Sequence, residues 1–451
     1  MAHSLTAAEP TSDRPTDRRR IAADANKLSS DDHAAHDWYR FVLSYPPHLV
    51  RDYLKRLPAP EGRRVLDPFC GTGTTIVECK KLGLSSIGVE AHPFSHFAST
   101  TKIDWDVDPS ELEQSARAIA TATLRQLEAE NIIDDPSPAL IAEMPTLGKL
   151  RTLPPELDKL LLTNSISPLP LHKTLALRDA IRAVGSERCR SHHLLALAKA
   201  LVATISNLHF GPEVGVGPAK ADAPVVSTWL RLTNQMADDL RALRPFADVP
   251  AEVHHADSRD IAALIEPNSI DTVITSPPYP NEKDYTRTTR LETILLGFIA
   301  SKKELQALKR TMVRSNTRGV YKEDADHQLV ADHAEIQRIA AAIEARRIEL
   351  GKTSGFERLY AKVTKLYFGG MARHLADLRH VLRPNAHLAY VVGDQASYLR
   401  IMIRTGQLLA SLAEQLGYEV VSIDLFRTRL ATATREQLRE EVVVLRWLGN
   451  R

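Results

Sequence analysis

At 451 residues the chain can hold one large domain or two, and its three cysteines exclude a disulfide framework and suit a reducing cytoplasm. A net charge of +2 excludes a globally basic coat, so any nucleic-acid surface must be local. No apolar run reaches the length of a membrane span, and residues 1–30 lack the apolar core of a signal peptide.

Residues 1–30 read as a disordered arm, and the cluster Asp17-Arg18-Arg19-Arg20 reads as part of a solvated tail. Residues 31–108 form the first unit of the pattern. Within them, Val65-Leu66-Asp67-Pro68-Phe69-Cys70-Gly71-Thr72-Gly73-Thr74-Thr75 reads as a strand end, a glycine turn and a helix start. Gly71 and Gly73 permit positive φ and close backbone approach, and Thr74 or Thr75 can cap the helix. The Gly-Lys-Ser/Thr ending of a nucleotide phosphate loop is absent from this turn. Ser86-Ile87-Gly88-Val89 is a second strand ending in Glu90, where a carboxylate can hold ribose hydroxyls.

Residues 109–250 interrupt this pattern. Leu112, Ala116, Ile119 and Leu127 recur at helix spacing. Prolines punctuate the next stretch, and an apolar helix is expected over 194–205. The glycine- and proline-dense run 207–218 has no periodicity, so it reads as a structural connection or as a lid.

Residues 251–300 carry the most specific motif. Val253-His254-His255-Ala256-Asp257 is a strand finishing in a carboxylate that can accept from an adenine amine. Asp271-Thr272-Val273-Ile274 then leads into Thr275-Ser276-Pro277-Pro278-Tyr279. Two prolines hold the backbone extended and leave carbonyl acceptors facing one way. Ser276 adds a hydroxyl and Tyr279 a flat π surface, which suits a planar ring bearing an exocyclic amine. The strand tips at Asp67, Glu90 and Asp257 then face one ligand with a ribose, an adenine and an amino-acid tail. That combination fits an S-adenosylmethionine site beside an amine pocket.

Residues 301–357 form a second, basic insertion in which Ile336, Ile339, Ile343 and Leu350 mark an amphipathic helix. Its cations Lys309, Arg310, Arg314 and Arg318, with Arg287 and Arg290 just upstream, are the candidates for DNA phosphate contacts. Residues 358–451 return to the alternating pattern, with strands expected at 387–394, 418–425 and 441–447 and a helix at 405–416.

Taken together, Asp67-Pro68-Phe69-Cys70-Gly71-Thr72-Gly73-Thr74-Thr75 and Thr275-Ser276-Pro277-Pro278-Tyr279 resemble the DNA amino-methyltransferases, in particular the cytosine-N4 group. His36-Asp37-Trp38-Tyr39-Arg40-Phe41 and Tyr45-Pro46-Pro47-His48-Leu49-Val50 look like the segment that closes over the methionine end of the cofactor in that family. The resemblance implies a doubly wound, mostly parallel seven-stranded α/β sheet of the Rossmann-like methyltransferase fold, here with two largely helical insertions. It implies S-adenosylmethionine bound by Asp67, Phe69, Gly71, Gly73, Thr74, Thr75, Glu90 and Asp257, and catalysis at Ser276, Pro277, Pro278 and Tyr279, with no metal. It implies a site-specific, cytoplasmic DNA enzyme that methylates a flipped-out cytosine directly, and it admits a partner restriction nuclease.

Ring carbon 5 chemistry needs a cysteine after proline, and none of Cys70, Cys79 and Cys189 follows one. Ser276 favours cytosine N4, because adenine-N6 enzymes of the family more often carry Asp or Asn there. Adenine-N6 methylation is the runner-up. An RNA base methyltransferase and a non-catalytic nucleic-acid-binding protein of the same fold are the further alternatives. Sequence recognition is expected from one of the two insertions.

Overall fold

The computed structural model describes residues 28–41, 43–134, 150–210, 213–430 and 437–449. The expected arm at 1–30, with its arginine cluster, lies outside these residues except at its end. Strands follow in chain order: β1 Val65–Asp67, β2 Ser86–Glu90, β3 Leu208–Phe210, β4 Val214–Val216, β5 Ala251–His255, β6 Ile270–Thr275, β7 Leu382–Gly393, β8 Tyr418–Leu430 and β9 Gln437–Trp447.

Seven strands make one sheet in the order β5-β2-β1-β6-β7-β9-β8. Pairing is parallel from β5 through β7, and β9 runs antiparallel to both β7 and β8. This is the expected doubly wound, mostly parallel seven-stranded sheet, with its last strand reversed. Every position of β1 and β6 is buried, as parallel strands covered on both faces require. From β1 the chain moves outward to β2 and β5, then returns to β6 on the other side of β1. Strand order therefore reverses between β1 and β6, and their carboxyl ends open the crevice where such sheets bind ligands.

The first insertion supplies helices Pro109–Ala129, Pro168–Ala183, Arg190–Ala200 and Val226–Leu243. Leu112, Ala116, Ile119 and Leu127 are buried as their spacing predicts. They share one core with Phe94, Ala98 and Trp105 of residues 31–108. Likewise, Ile336, Ile339 and Ile343 of helix Ala334–Glu349 pack into the core that backs β6 and β7.

Several expectations are corrected. Leu350 lies past the end of its helix and is exposed. The apolar helix expected at 194–205 changes to a π turn at Leu201–Ile205. The run 207–218 contains an antiparallel hairpin, β3 with β4, whose three-residue strands are too short to show a period. Strand β8 runs on to Leu430 and β9 begins at Gln437, beyond the expected 418–425 and 441–447. No helix among the described residues is long and apolar enough to cross a membrane.

Candidate active site

The glycine turn after β1 is shaped by one backbone requirement. Gly73 sits at φ 86° as the N-cap of helix Thr74–Lys81. A Cβ there would come within 3.1 Å of the Ser99 Cβ, so the close approach of turn and neighbouring helix needs glycine. The expected threonine cap does not form. Thr75 Oγ1 instead donates to the Ile274 carbonyl at 3.1 Å and bonds the Tyr45 hydroxyl.

Asp67 is fully buried. Its carboxylate accepts from Thr275 Oγ1 at 2.6 Å, from the Tyr45 hydroxyl at 3.0 Å and from the Phe69 amide at 3.1 Å. Burial pushes its carboxyl up to about 6 against those three donors. Asp67 thus fastens the upstream segment, the glycine turn and the end of β6 together from behind the cleft. Phe69, whose amide it holds, borders the cleft.

A cleft of about 350 Å³ opens at the carboxyl ends of the strands, bordered by Tyr45, Phe69, Thr72, Glu90, Ser276 and Tyr279 among others. Phe41, Leu43, Ser44 and Tyr45 place the upstream segment over it. At its floor the Glu90 carboxylate accepts from the Gly71 amide at 2.8 Å and the His92 amide at 2.7 Å. Burial nevertheless pushes the Glu90 carboxyl up to about 7. Thr72 Oγ1 is buried and has no partner among the described residues.

Across the cleft, Ser276 Oγ donates to the Val391 carbonyl at 3.1 Å. The same hydroxyl lies in hydrogen-bond reach of the Tyr279 hydroxyl, and its oxygen has lone pairs that can accept. Pro277, Pro278 and Tyr279 line the cleft beside it. The Tyr279 ring lies against Gly393, where an added Cβ would meet Cε2 at 3.0 Å. Burial raises the Tyr279 hydroxyl above its ordinary pKa, with the Glu440 carboxylate adding to the shift.

Asp257 is held by the residue two positions on. Both its oxygens are taken by the Arg259 guanidinium, at 2.6 to 3.2 Å, and Arg259 continues to Asp326 at 2.7 Å. Ser258, one residue on, borders the cleft.

The six candidate phosphate contacts divide. Arg290 bonds the Leu160 and Thr286 carbonyls, Lys309 pairs with Asp284 at 2.7 Å, and Arg314 pairs with Asp324 at 2.8 Å. These three hold the fold together. Lys309 and Arg314 look free in the sequence only because their acidic partners stand 25 and 10 residues away. Arg310 and Arg318 are exposed and Arg287 is half-buried. Arg310 lies over the Tyr321 ring at 4.2 Å and pairs with Glu323 at 3.2 Å. Residues that sequence reading missed also border the cleft: His92, Lys283, Tyr285, Arg427, Arg429 and Glu440. The Arg427-Thr428-Arg429 alternation was the available signal, since residues two apart share a strand face.

The N6_N4_Mtase family model, DNA methylase, matches residues 21–99. The type II methyltransferase M.BsoBI of Geobacillus stearothermophilus is 26% identical over 462 residues, covering 95% of this chain and 86% of that protein. The type II methyltransferase M.AvaI of Nostoc sp. is 22% identical, covering 95% of this chain and 89% of that protein. A shorter similarity, 35% over 68 residues, covers 15% of this chain and 13% of the type II methyltransferase M.MjaII of Methanocaldococcus jannaschii.

Proposed function

We propose, from the premise that the chain belongs to the DNA amino-methyltransferase family, that it methylates the exocyclic N4 amine of a flipped-out cytosine in DNA, using S-adenosylmethionine. The observation that carries this reading is Ser276. Its hydroxyl is held by the Val391 carbonyl and offers lone pairs to an incoming amine, in the cleft that also holds Glu90 and the glycine turn. The relatives' description as type II methyltransferases favours a role in restriction–modification, with a partner nuclease.

The residues present suit the cofactor. Glu90 offers acceptors for a ribose diol, Phe69 a flat face for adenine, and Thr72 a buried hydroxyl without a partner. Bound there, S-adenosylmethionine supplies an electrophilic methyl group. Ser276 Oγ and the Pro277 carbonyl accept the two amine hydrogens and draw them out of the ring plane, which localises the nitrogen lone pair. Tyr279 stacks on the ring and fixes its distance. Positioning and aimed dipoles carry the rate, and no covalent enzyme intermediate forms.

Two results are expected from this arrangement. A carboxylate accepts ribose hydroxyls and a carboxylic acid does so poorly, so cofactor affinity should rise as pH increases through about 7. Calorimetry across that range should show the rise, and Glu90→Gln should flatten it. Gly393→Ala pushes a methyl group against Tyr279 and should slow methyl transfer about tenfold while leaving the melting temperature nearly unchanged. Steady-state kinetics beside a thermal melt would show both.

DNA synthesised with modified nucleotides separates the target bases. Templates carrying N4-methylcytosine throughout should accept no further label, and templates carrying N6-methyladenine should accept as much as unmodified DNA. The opposite pattern would move the reaction to adenine.

A further inference from the structure

The β8–β9 hairpin and the segment after the Pro-Pro motif meet at the mouth of the cleft. Arg427 and Arg429 project from the same face of β8 and share a single carboxylate, Glu440, at 2.5 Å and 3.5 Å. Lys283 stands beside them in the cleft wall. Among the described residues its ammonium has no hydrogen bond or ion pair, and the charges that act on it are Arg429, Glu440 and Glu213 of the β3–β4 hairpin. Three cations therefore line one rim around one cleft carboxylate, with Glu213 facing Lys283 from outside the cleft lining.

Such a rim keeps cations close together at a cost in repulsion, which an anion arriving there would relieve. The geometry of base flipping says which anion. A base seated between Ser276 and Tyr279 remains joined through its sugar to two phosphodiesters, and these cannot follow it to the cleft floor. Arginine also matches a phosphate in a bidentate fork, which a carboxylate can hold ready in the free protein.

Resting on the proposed function, we propose that Lys283, Arg427 and Arg429 grip the phosphodiester backbone flanking the flipped nucleotide. Glu440 holds the two arginines apart and in register until the backbone arrives, and it packs beside Tyr279 at the Gly393 wall. The rim thereby couples backbone capture to base seating. It also assigns a DNA contact to the β8–β9 hairpin, outside both insertions.

The test is DNA binding by Lys283→Ala and Arg429→Ala proteins to unmethylated genomic fragments across a salt series, with methyl transfer and cofactor calorimetry in parallel. Lys283→Ala removes an ammonium that has no hydrogen bond or ion pair among the described residues, so it keeps the proposal testable should Arg429→Ala disturb β8 and β9. Each variant should weaken DNA binding about tenfold and lower the slope of log K against log salt by about one, with cofactor affinity unchanged. Wild-type affinity and slope in both variants, with wild-type protein active on DNA, would overturn the rim and leave the methylation reading intact. A wild-type protein that neither binds nor methylates DNA would overturn both.

Discussion

Ser276→Ala is expected to reduce methyl transfer to DNA by about a hundred- to a thousandfold, the usual cost of removing one aimed polar group from a reacting centre. The ring withdraws the amine lone pair, so a free exocyclic amine is a poor nucleophile. An acceptor out of the ring plane restores that lone pair only while the acceptor stays fixed. The 3.1 Å bond from Ser276 Oγ to the Val391 carbonyl does the fixing. Alanine removes the acceptor and leaves the main chain of the motif in place. Cofactor affinity, set across the cleft by Phe69 and Glu90, should therefore stay within about twofold of wild type, a change worth under 0.5 kcal/mol. Single-turnover methylation measured beside calorimetry separates the two quantities. Unchanged turnover would remove Ser276 from the chemistry.

Tyr279→Ala carries the second large effect. Stacking on an aromatic ring stabilises a bound base by about 1–3 kcal/mol, and extruding the base from the duplex costs a few kcal/mol. Loss of the ring should therefore lower both flipped-base binding and turnover, by about ten- to a hundredfold. Tyr279→Phe keeps the stacking face and should retain most of the activity. Fluorescence of a 2-aminopurine reporter at the target position would read flipping directly. A bright reporter and normal turnover in Tyr279→Ala would assign the stacking to another ring of the cleft wall, such as Tyr285.

Much of this site was legible in the sequence because its signals are local. Strand tips, a glycine turn and a Pro-Pro motif each declare themselves within about ten residues, and the doubly wound pattern brings them to one edge. What failed to show was partner choice across long separations. Asp67 and Asp257 look alike as strand-tip carboxylates, yet Asp67 turns inward to Tyr45 and Thr275 while Asp257 is taken by Arg259. The basic run of the second insertion looked free, but Asp284 and Asp324 bind two of its cations. Conversely, Lys283 is a lone cation in the sequence, and its meaning appears only when the ends of β8 and β9 arrive beside it. Glycine density hid the β3–β4 hairpin, because strands of three residues leave no period to read.

The most direct test of the central claim is methyl transfer from labelled S-adenosylmethionine to unmethylated genomic DNA, followed by digestion to nucleosides and mass spectrometry. N4-methylcytosine is the predicted product, and sequencing around it would give the recognised site. N6-methyladenine as the sole product would contradict the assignment of the base. Cofactor bound with no label entering DNA would contradict the assignment of the substrate.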